Sequence, residues 1–252
     1  MSATERQGPL PEDGPIGSDG VLDADQADLV LGTIATTRAV RRYRPDPVPD
    51  EDLASILFTA TRAPSGSNRQ PVRFVVLRGS ETARQAKHLI GAAARGIWAA
   101  KREADGYDRG TGTDPTSPKA RTAATMEHFV EHFEDIPVVI LVAGQRSRPG
   151  PEETIGASIY PACQNLLLAA RTLGYGGVMM TWHRAVEDEL RELLGIPDDV
   201  FLAATITMGR PQGHHGPVRR MPLEAFVFED RWERTVDWTT EPEGTRHTRW
   251  RR

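Results

Sequence analysis

The sequence predicts an α+β fold, in which large helices pack on a sheet of few strands. The chain has 252 residues, a length that a single α/β domain commonly reaches. Continuous apolar runs of the kind found in buried strands occur at 74–77 and 137–142, and a further strand is predicted at 200–208. The segments between them are longer and repeat their apolar residues with helical spacing. Strands and helices therefore alternate, but the strands are too few for a doubly wound sheet of this length.

The composition indicates a soluble protein with a hydrophobic core and excludes several classes of protein. Hydrophobic residues make up 38% of the chain and charged residues 26%, which suits a packed core under a solvated surface. The net charge of −4 creates no strong field toward nucleic acid or membranes. Cys163 is the single cysteine, which excludes an intramolecular disulfide and a metal site of several cysteines. No apolar run approaches the ~18 residues of a membrane span and no signal peptide is recognised, so a cytoplasmic location is expected.

The two ends differ in composition from the middle of the chain. This difference predicts a flexible N-terminal tail at 1–21, one domain at 22–232 and a C-terminal extension at 233–252. The N-terminal tail is rich in proline, glycine and acidic residues, as disordered segments are. The extension ends in a basic run, which we interpret as solvated; weak, salt-sensitive nucleic-acid binding is the alternative. The basic residues of this run are Arg246, His247, Arg249, Arg251 and Arg252, around Trp250.

The first part of the domain predicts two helices and a polar loop before the first strand. A helix is expected over 22–36, and prolines then force an extended course. Asp50 is the predicted N-cap of the second helix, whose apolar residues recur with a 3.6-residue period. That helix ends at Pro64, and the polar loop, defined here as residues 65–70, leads into the strand 74–77. Hydroxyl, amide and backbone N–H groups at the mouth of a buried strand often hold polar ligands; an ordinary turn is the alternative.

The remaining elements follow from the same signals. Helices are predicted over 81–101, 119–134, 159–173 and 186–194, with strands at 137–142 and 200–208 and a short extended piece at 178–182. The helix 159–173 is apolar on most sides, so it is either central or buried against a partner chain; it stops at Gly174, a glycine of the kind that ends helices. The segment 105–118 is rich in glycine and proline and is expected to be a mobile loop, either a lid over a site or a plain solvent loop.

The common catalytic signatures are absent from the sequence. No phosphate-binding P-loop or dinucleotide fingerprint is present, and Tyr160 stands where a serine nucleophile elbow requires glycine. His128 and His132 are spaced to face one metal ion, but no third ligand is evident, so a solvated helix face is favoured. Cys163 lies in an apolar helix and is interpreted as an inert core thiol. The loop histidines His214 and His215 are uninformative.

Two groups of arginines remain as candidate binding residues. Arg38, Arg41 and Arg42 form the first group, and Arg219 and Arg220 form the second. Guanidinium groups suit phosphate oxygens, although either group alone is more typical of a solvated basic face. Two such groups, together with the polar loop and the glycine-rich segment 174–177, suit a phosphorylated planar cofactor. Such a cofactor has a dianion at one end and, at the other, a ring edge that needs amide and backbone donors.

Several motifs in order resemble the FMN-dependent nitroreductase family. They are TTRAVRRYRPDPVPDEDL, ATRAPSGSNRQPVRFVVL, ASIYPACQNLLLAARTLGYGGVMMT, LLGIPDD, a strand ending in MGRP, and RRMPLEAFV, and they cover roughly residues 33–230. The resemblance implies a nitroreductase-like α+β fold with a central, mostly antiparallel sheet flanked by helices. It also implies an intertwined homodimer that binds FMN at the subunit interface, with the helix 159–173 as the central helix of the dimer.

The resemblance also assigns residues to the cofactor. Arg38 and Arg41 are expected at the FMN phosphate and ring edge, and Arg219 or Arg220 at the phosphate. The polar loop is expected at the ribityl chain and ring, from the partner subunit, and Met180 and Thr181 beside the reactive edge. The full set is Arg38, Ala39, Arg41, Pro64, Ser65, Gly66, Ser67, Asn68, Gln70, Met180, Thr181, Arg219 and Arg220. The chain departs from the family pattern at Ala39 and Val72, which weaken individual contacts, and at Trp182 and His183, whose bulk bears on the size of the pocket and hence on the substrate.

The activity that the resemblance implies is transfer of hydride from NAD(P)H to FMN and then to nitroaromatic or quinone-like acceptors, in ping-pong turnover. The flavin carries the chemistry, so no catalytic side chain is assigned. Enone reduction, dehalogenation and flavin cleavage on the same fold are alternatives, as is a flavin-binding protein without enzymatic activity. The segment 105–118 and Trp182 are the features expected to choose among these reactions.

Overall fold

The computed structural model describes residues 22–146, 155–213, 216 and 218–248. Within these ranges the chain forms six α-helices and four β-strands, which confirms the predicted α+β class. In chain order they are α1 (Ala24–Thr36), α2 (Asp50–Ala60), β1 (Val72–Leu77), α3 (Glu81–Ala104), α4 (Pro118–Glu131), β2 (Val138–Gln145), α5 (Tyr160–Thr172), β3 (Gly176–Met180), α6 (Glu187–Leu194) and β4 (Val200–Gly209). The predicted tail at 1–21, most of the basic C-terminal run, His214 and His215 lie outside the described residues.

The four strands form one antiparallel sheet in the order β1-β2-β4-β3. The two central strands, β2 and β4, are almost wholly buried, as the continuous apolar run of β2 predicted for that strand. The ladder between them is interrupted once, at Val142 and Ala143. The strands β1 and β3 form the two edges of the sheet. Segments next to β1 in the chain and segments next to β3 therefore lie at opposite edges.

Helices cover both faces of the sheet, because the strand side chains alternate between them. On one face Ile140, Val142 and Ile206 pack against α2 and α5. On the other face Val139 and Leu141 pack with residues of α3, α4 and α6. The predicted central sheet flanked by helices is therefore confirmed.

The helix α5 was predicted to be unusually apolar, and it packs on both α2 and β3. Ala162, Cys163, Leu166 and Ala170 are fully buried within the chain. The helix gives way to Gly174, whose φ of +81° lies in the left-handed region that glycine adopts at helix ends. Leu167, Leu168 and Ala169 are half-buried, whereas the exposed residues of the helix are Tyr160, Gln164, Arg171 and Thr172.

The start of α2 differs from its prediction. Asp50 was expected to be the N-cap, but it is the first helical residue, and Pro49 stands at the cap without a side-chain hydrogen bond. The extended course imposed by the prolines already turns the chain at Pro49, whose ψ is 149°. Asp50 instead pairs with Arg78, and its charge still favours the positive end of the helix dipole.

Two glycine-to-alanine changes are expected to alter stability in opposite directions. A Cβ at Gly144 would lie 2.2 Å from Ile159 Cδ1 and 2.5 Å from Phe201 Cε1, so Gly144→Ala should reduce the free energy of unfolding by about 1–3 kcal/mol through overpacking. Gly96 is exposed within α3 and has nothing within 4 Å of the added methyl group. Gly96→Ala should raise the free energy of unfolding by about 0.5–1 kcal/mol. Urea unfolding of both variants measures the two changes, and a Gly144 variant as stable as the wild type would contradict the tight packing.

None of the described helices is both long and apolar enough to cross a membrane.

Candidate functional site

The arginine-rich segment runs along the outer side of the edge strand β3. Ala39 forms a parallel bridge with Gly177, and the Val40 N–H donates to the Gly177 carbonyl at 3.0 Å. Further along, the Arg44 N–H donates to the Arg210 carbonyl at 2.8 Å. A Cβ at Gly176 would lie 2.5 Å from Val40 Cγ2, so glycine at this position allows the segment to approach β3 closely. The segment thereby carries Arg38 and Arg41 to the edge of the sheet.

Arg41 is a half-buried cation whose guanidinium donates to no group within the described parts of the chain. Burial lowers the pKa of Arg41 from its ordinary value; the neighbouring Tyr43 opposes this effect and the charge of Arg38 adds to it. The guanidinium nitrogens are not enclosed, so their donors are available to an anionic or hydrogen-bond-accepting ligand.

The other two arginines of the group have partners. Arg38 Nη1 donates to the Gly216 carbonyl at 3.3 Å, and Arg42 Nη2 donates to the Ala124 carbonyl at 3.2 Å. The first contact brings Arg38 to the segment that leads to the second arginine group. A cavity of about 200 Å³ lies beside Arg38, and Val40, Tyr175, Gly176 and Pro211 also line it.

Arg219 and Arg220 are held through the backbone of the C-terminal extension. Arg220 forms a parallel bridge with His247, and the Thr248 N–H donates to the Arg220 carbonyl at 2.8 Å. His247 in turn pairs with Glu241 at 3.0 Å. Up to residue 248 the basic run is therefore packed beside Arg220, while both guanidinium groups stay on an exposed surface.

The strand β3 ends in an accessible corner. Met179 is 44% exposed, Met180 is half-buried and Thr181 is exposed. The chain then enters a 3₁₀ turn at Trp182–Val186. This turn directs Trp182 into the core, where its ring lies 5.6 Å from Phe129, and it buries His183 completely. Trp182 is half-buried and His183 is buried, and the influence of their bulk on the size of the pocket stays a prediction.

The polar loop has an uncommon backbone. Ser67, Asn68 and Gln70 have φ values of 53°, 51° and 49°, in a region that residues other than glycine rarely adopt. Each such residue costs of order 1–3 kcal/mol, and strain of this kind clusters at binding sites. Ser65 Oγ accepts from the Gln70 N–H at 2.9 Å, and Ser158 Oγ accepts from the Gly66 N–H at 3.1 Å.

These hydrogen bonds hold the loop in its strained form and leave its other groups accessible. Asn68 and Gln70 are exposed, with their side chains joined by a 3.1 Å hydrogen bond from Gln70 Nε2 to Asn68 Oδ1. Pro64, at the start of the loop, is also exposed. Ser158 was not assigned to a site from the sequence, because its role is a contact with a residue distant in the chain.

The structure does not bring all the predicted site residues together within one subunit. The polar loop precedes β1, whereas the arginine-rich segment and the Met180 corner lie along β3. Three inter-strand spacings separate these edges, which amounts to about 14 Å across the sheet. One chain therefore presents two half-sites, which we call the arginine half-site (Arg38, Arg41, Met180 and Thr181) and the polar loop.

The other candidates from the sequence have local roles. Cys163 is fully buried, and burial raises its pKa to about 11, which keeps the thiol protonated and fits an inert core residue. The ring centroids of His128 and His132 lie 4.4 Å apart with the ring planes tilted by 47°, and His132 Nδ1 lies 3.2 Å from Asp135 Oδ2. A larger groove, of about 680 Å³, lies between α3 and α6 and contains none of the predicted site residues.

The segment 105–118 is better packed than its composition suggests. The Tyr107 ring packs against Trp98 with the ring centroids 5.1 Å apart and the planes tilted by 58°, and Arg102 pairs with both Asp108 and Glu127. A 3₁₀ turn spans Gly110–Thr113, and Ser117 caps α4. A movement of this segment as a lid stays a prediction.

The sequence reasoning missed the residues that support the arginine half-site from below. They are Tyr43, His183, Thr205 and Thr207, which hydrogen-bond in pairs beneath β3. A signal was present in β4, where two threonines interrupt a strand that is otherwise apolar up to its final glycine.

The chain is similar to known proteins over most of its length. The profile described as the nitroreductase family matches residues 34–210. An NADH dehydrogenase of Thermus thermophilus is 30% identical over 82% of this chain and 96% of its own, and a protein of Archaeoglobus fulgidus named for NADH dehydrogenase and NAD(P)H nitroreductase activity is 28% identical over 72% and 85%. A crystal structure from Desulfovibrio desulfuricans, described as a nitroreductase in complex with FMN, superposes with a TM-score of 0.59 and 27% identity, covering 81% of this chain and 97% of that one. The matched profile spans well over half of the sequence, which confirms the resemblance: the chain belongs to the nitroreductase family of oxidoreductases.

Proposed function

We propose that the chain forms a homodimeric FMN enzyme that takes hydride from NAD(P)H and passes electrons to nitroaromatic or quinone-like acceptors. The observation that carries this proposal is the half-buried Arg41 guanidinium at the edge of β3, which has no acceptor among the residues that the structure describes. The FMN bound by the relative from Desulfovibrio desulfuricans and the nicotinamide activities in the names of the other two relatives support the choice of cofactor and reductant.

The residues present fit FMN. Arg38 and the exposed pair Arg219 and Arg220 offer cations for a phosphate. Arg41 offers a cation for the ring edge, and the exposed amides of Asn68 and Gln70 offer donors and acceptors for polar ring atoms. The remaining members of the proposed contact set are Ala39, Pro64, Ser65, Gly66, Ser67, Met180 and Thr181.

Bound FMN supplies the redox chemistry, accepting hydride from the nicotinamide and giving electrons to the acceptor. The task of the protein is to hold charge and to control access. The fixed positive charge of Arg41 favours negative charge at the adjacent ring edge, and its half-buried position strengthens that effect relative to water. No side-chain acid or base is required, because solvent can supply protons at the accessible Met179–Thr181 corner.

The two half-sites support the proposal of a homodimer. A cofactor held by Arg41 and by the polar loop of the same subunit would have to bridge opposite edges of the sheet. A partner subunit removes this difficulty if its polar loop lies against the arginine half-site. Exposed apolar side chains are available for such an interface, among them Leu29 and Leu31 of α1, Phe58 of α2, and Phe226, Trp232 and Trp238 in the last part of the chain.

We propose ping-pong turnover, in which nicotinamide and acceptor approach the ring in turn from the accessible Met179–Thr181 side. The first then leaves before the second binds. Flat aromatic acceptors suit this corner, because stacking on the ring needs little more than an open apolar surface.

The test is a spectroscopic titration of the purified protein. We expect a yellow protein whose flavin absorbance is bleached by NADH or NADPH without oxygen and restored by a nitroaromatic compound or a quinone. Initial rates at varied concentrations of both substrates should give parallel double-reciprocal lines. A flavin that no nicotinamide bleaches would indicate a flavin-binding protein without this activity. A colourless protein that takes up no added FMN would overturn the cofactor assignment.

A further inference from the structure

The central strand β4 carries two fully buried polar side chains, Thr205 and Thr207. They are two residues apart and therefore point to the same face of the sheet. On that face they lie opposite Leu141 and Val139 of β2, among apolar side chains. A hydroxyl in such surroundings is costly unless it is hydrogen-bonded, so its partner is worth identifying.

Thr207 holds the segment that carries Arg41. Its hydroxyl lies 2.8 Å from the Tyr43 hydroxyl, which in turn donates to the Val40 carbonyl at 2.5 Å. Burial raises the pKa of the Tyr43 phenol, so the phenol stays protonated and keeps its donor. The contact fixes a residue only two positions beyond Arg41.

Thr205 holds the corner that carries Thr181. Its hydroxyl lies 2.9 Å from His183 Nδ1, and His183 Nε2 lies 3.2 Å from the Leu202 carbonyl. The carbonyl can only accept, so Nε2 carries the proton and Nδ1 accepts from Thr205. Burial lowers the pKa of His183, which keeps this neutral tautomer. The contact fixes a residue only two positions beyond Thr181.

Both threonines therefore join β4 to the two chain segments of the arginine half-site. The simpler interpretation is that they satisfy core polar groups and do nothing more. The hydrogen-bond partners of the two threonines argue against this interpretation, because each threonine bonds to a polar ring located two residues from a proposed cofactor contact. Valine would fill the same space in an apolar strand without requiring any partner, and β4 already uses apolar side chains on either side of both positions.

We propose that Thr205 and Thr207 are positioning residues that set, independently of each other, the Met180–Thr181 corner and the Arg38–Arg41 segment. The proposal rests on the proposed function for its effect on flavin, but not for its effect on the two segments. Neither threonine is assigned to touch the cofactor.

The test uses Thr205→Val and Thr207→Val, which remove the hydroxyl and keep the shape, with Thr205→Ser and Thr207→Ser as matched controls that keep the hydroxyl. Hydrogen exchange is followed at the Arg44 amide, bonded to the Arg210 carbonyl, and at the Arg184 amide, bonded to the Thr181 carbonyl. We expect Thr207→Val to speed exchange about tenfold at Arg44 and little at Arg184, and Thr205→Val to show the reverse. The serine variants should stay near the wild type. If Thr207→Val fails to fold, Tyr43→Phe replaces it, since it is a milder change at a half-buried ring, and it should give the exchange pattern expected of Thr207→Val. If Thr205→Val fails to fold, His183→Gln replaces it in the same way.

The flavin readouts separate positioning from plain stability. In the holoenzyme, each valine variant should slow bleaching by NADPH about tenfold, since small displacements at a reacting centre have large effects on rate, while each serine variant restores it. Equal acceleration of exchange in both segments, or unchanged bleaching rates in the valine variants, would overturn the proposal. If the wild type binds no FMN, the proposed function fails, and the reciprocal exchange pattern still decides whether the two threonines hold the two segments.

Discussion

Replacing Arg41 by alanine is expected to weaken FMN binding about 10- to 150-fold. This range corresponds to the loss of a hydrogen bond to a charged group, about 1.5–3 kcal/mol. Arg41 has no acceptor in the described parts of the chain, so the substitution removes a group whose pairing is completed only by the ligand. The variant should leave purification pale, and quenching of flavin fluorescence on titration measures the change in Kd.

Arg44→Ala is the matched control for this substitution. Arg44 lies three residues away, is exposed, and already pairs with Asp46 at 2.7 Å, so its loss should leave FMN affinity within about twofold, as for most surface ion pairs. Arg41→Lys should recover part of the affinity, because the charge returns without the planar fork. An Arg41→Ala protein that stays yellow with wild-type affinity would remove Arg41 from the site.

The outcome for Arg41 also bears on flavin reduction. A cation beside the ring edge favours the reduced, more negative form over the oxidised form. Any FMN that the Arg41→Ala protein retains at saturating concentration is therefore expected to have a lower reduction potential than in the wild type. The Arg44→Ala protein should show no such change, which separates a contact with the ring from a general effect of net charge.

Local patterns were sufficient to predict the elements of the fold. The strands β2 and β4 are mostly apolar because both of their faces are buried. In α3 and α5 the apolar residues recur with helical spacing because a helix buries a stripe along its length, and this spacing is visible in the sequence. The N-cap of α2 was misassigned by one position, because a proline turned the chain before Asp50 could. Such a detail depends on backbone angles that several residue types can adopt.

The arrangement of the site could be predicted only in part. Ser67, Asn68 and Gln70 all have left-handed backbone angles, but these residue types do not indicate such angles in a sequence. The strain of the polar loop was therefore not foreseen. The pairings Tyr43–Thr207 and His183–Thr205 join residues 164 and 22 positions apart, and only the folded sheet brings them together. The packing of Trp182 on Phe129 was not foreseen for the same reason, because it depends on a 3₁₀ turn after β3.

The strand order has a consequence for assembly. Since β1 and β3 are opposite edges of one sheet, the proposed dimer joins the arginine half-site of one subunit to the polar loop of the other. In a dimer with two-fold symmetry this pairing occurs twice. Each FMN site would then be built from Arg41 of one subunit and Asn68 and Gln70 of the partner.

Mixed dimers of two inactive variants are expected to regain flavin binding. One subunit carries Arg41→Ala and the other carries Asn68→Ala with Gln70→Ala, and each variant alone should bind FMN poorly. In the heterodimer one site combines both defects, while the other combines an intact arginine half-site with an intact polar loop. About half of the sites should therefore bind FMN with wild-type affinity and be bleached by NADPH. Co-expression with two different affinity tags and tandem purification isolates the heterodimer for this measurement.

A heterodimer of Arg41→Ala with Arg38→Ala provides the matched control. Both substitutions lie in the arginine half-site, so every site in that dimer keeps one defect and no site is restored. Recovery in the first mixture and none in the second is the result that only a site shared between subunits produces. If the flavin were held within one subunit, each half of the first heterodimer would keep its own defect, and neither mixture would regain the yellow colour. Gel filtration of each sample establishes that the comparison is made between dimers, so that an absence of recovery reports on the location of the site.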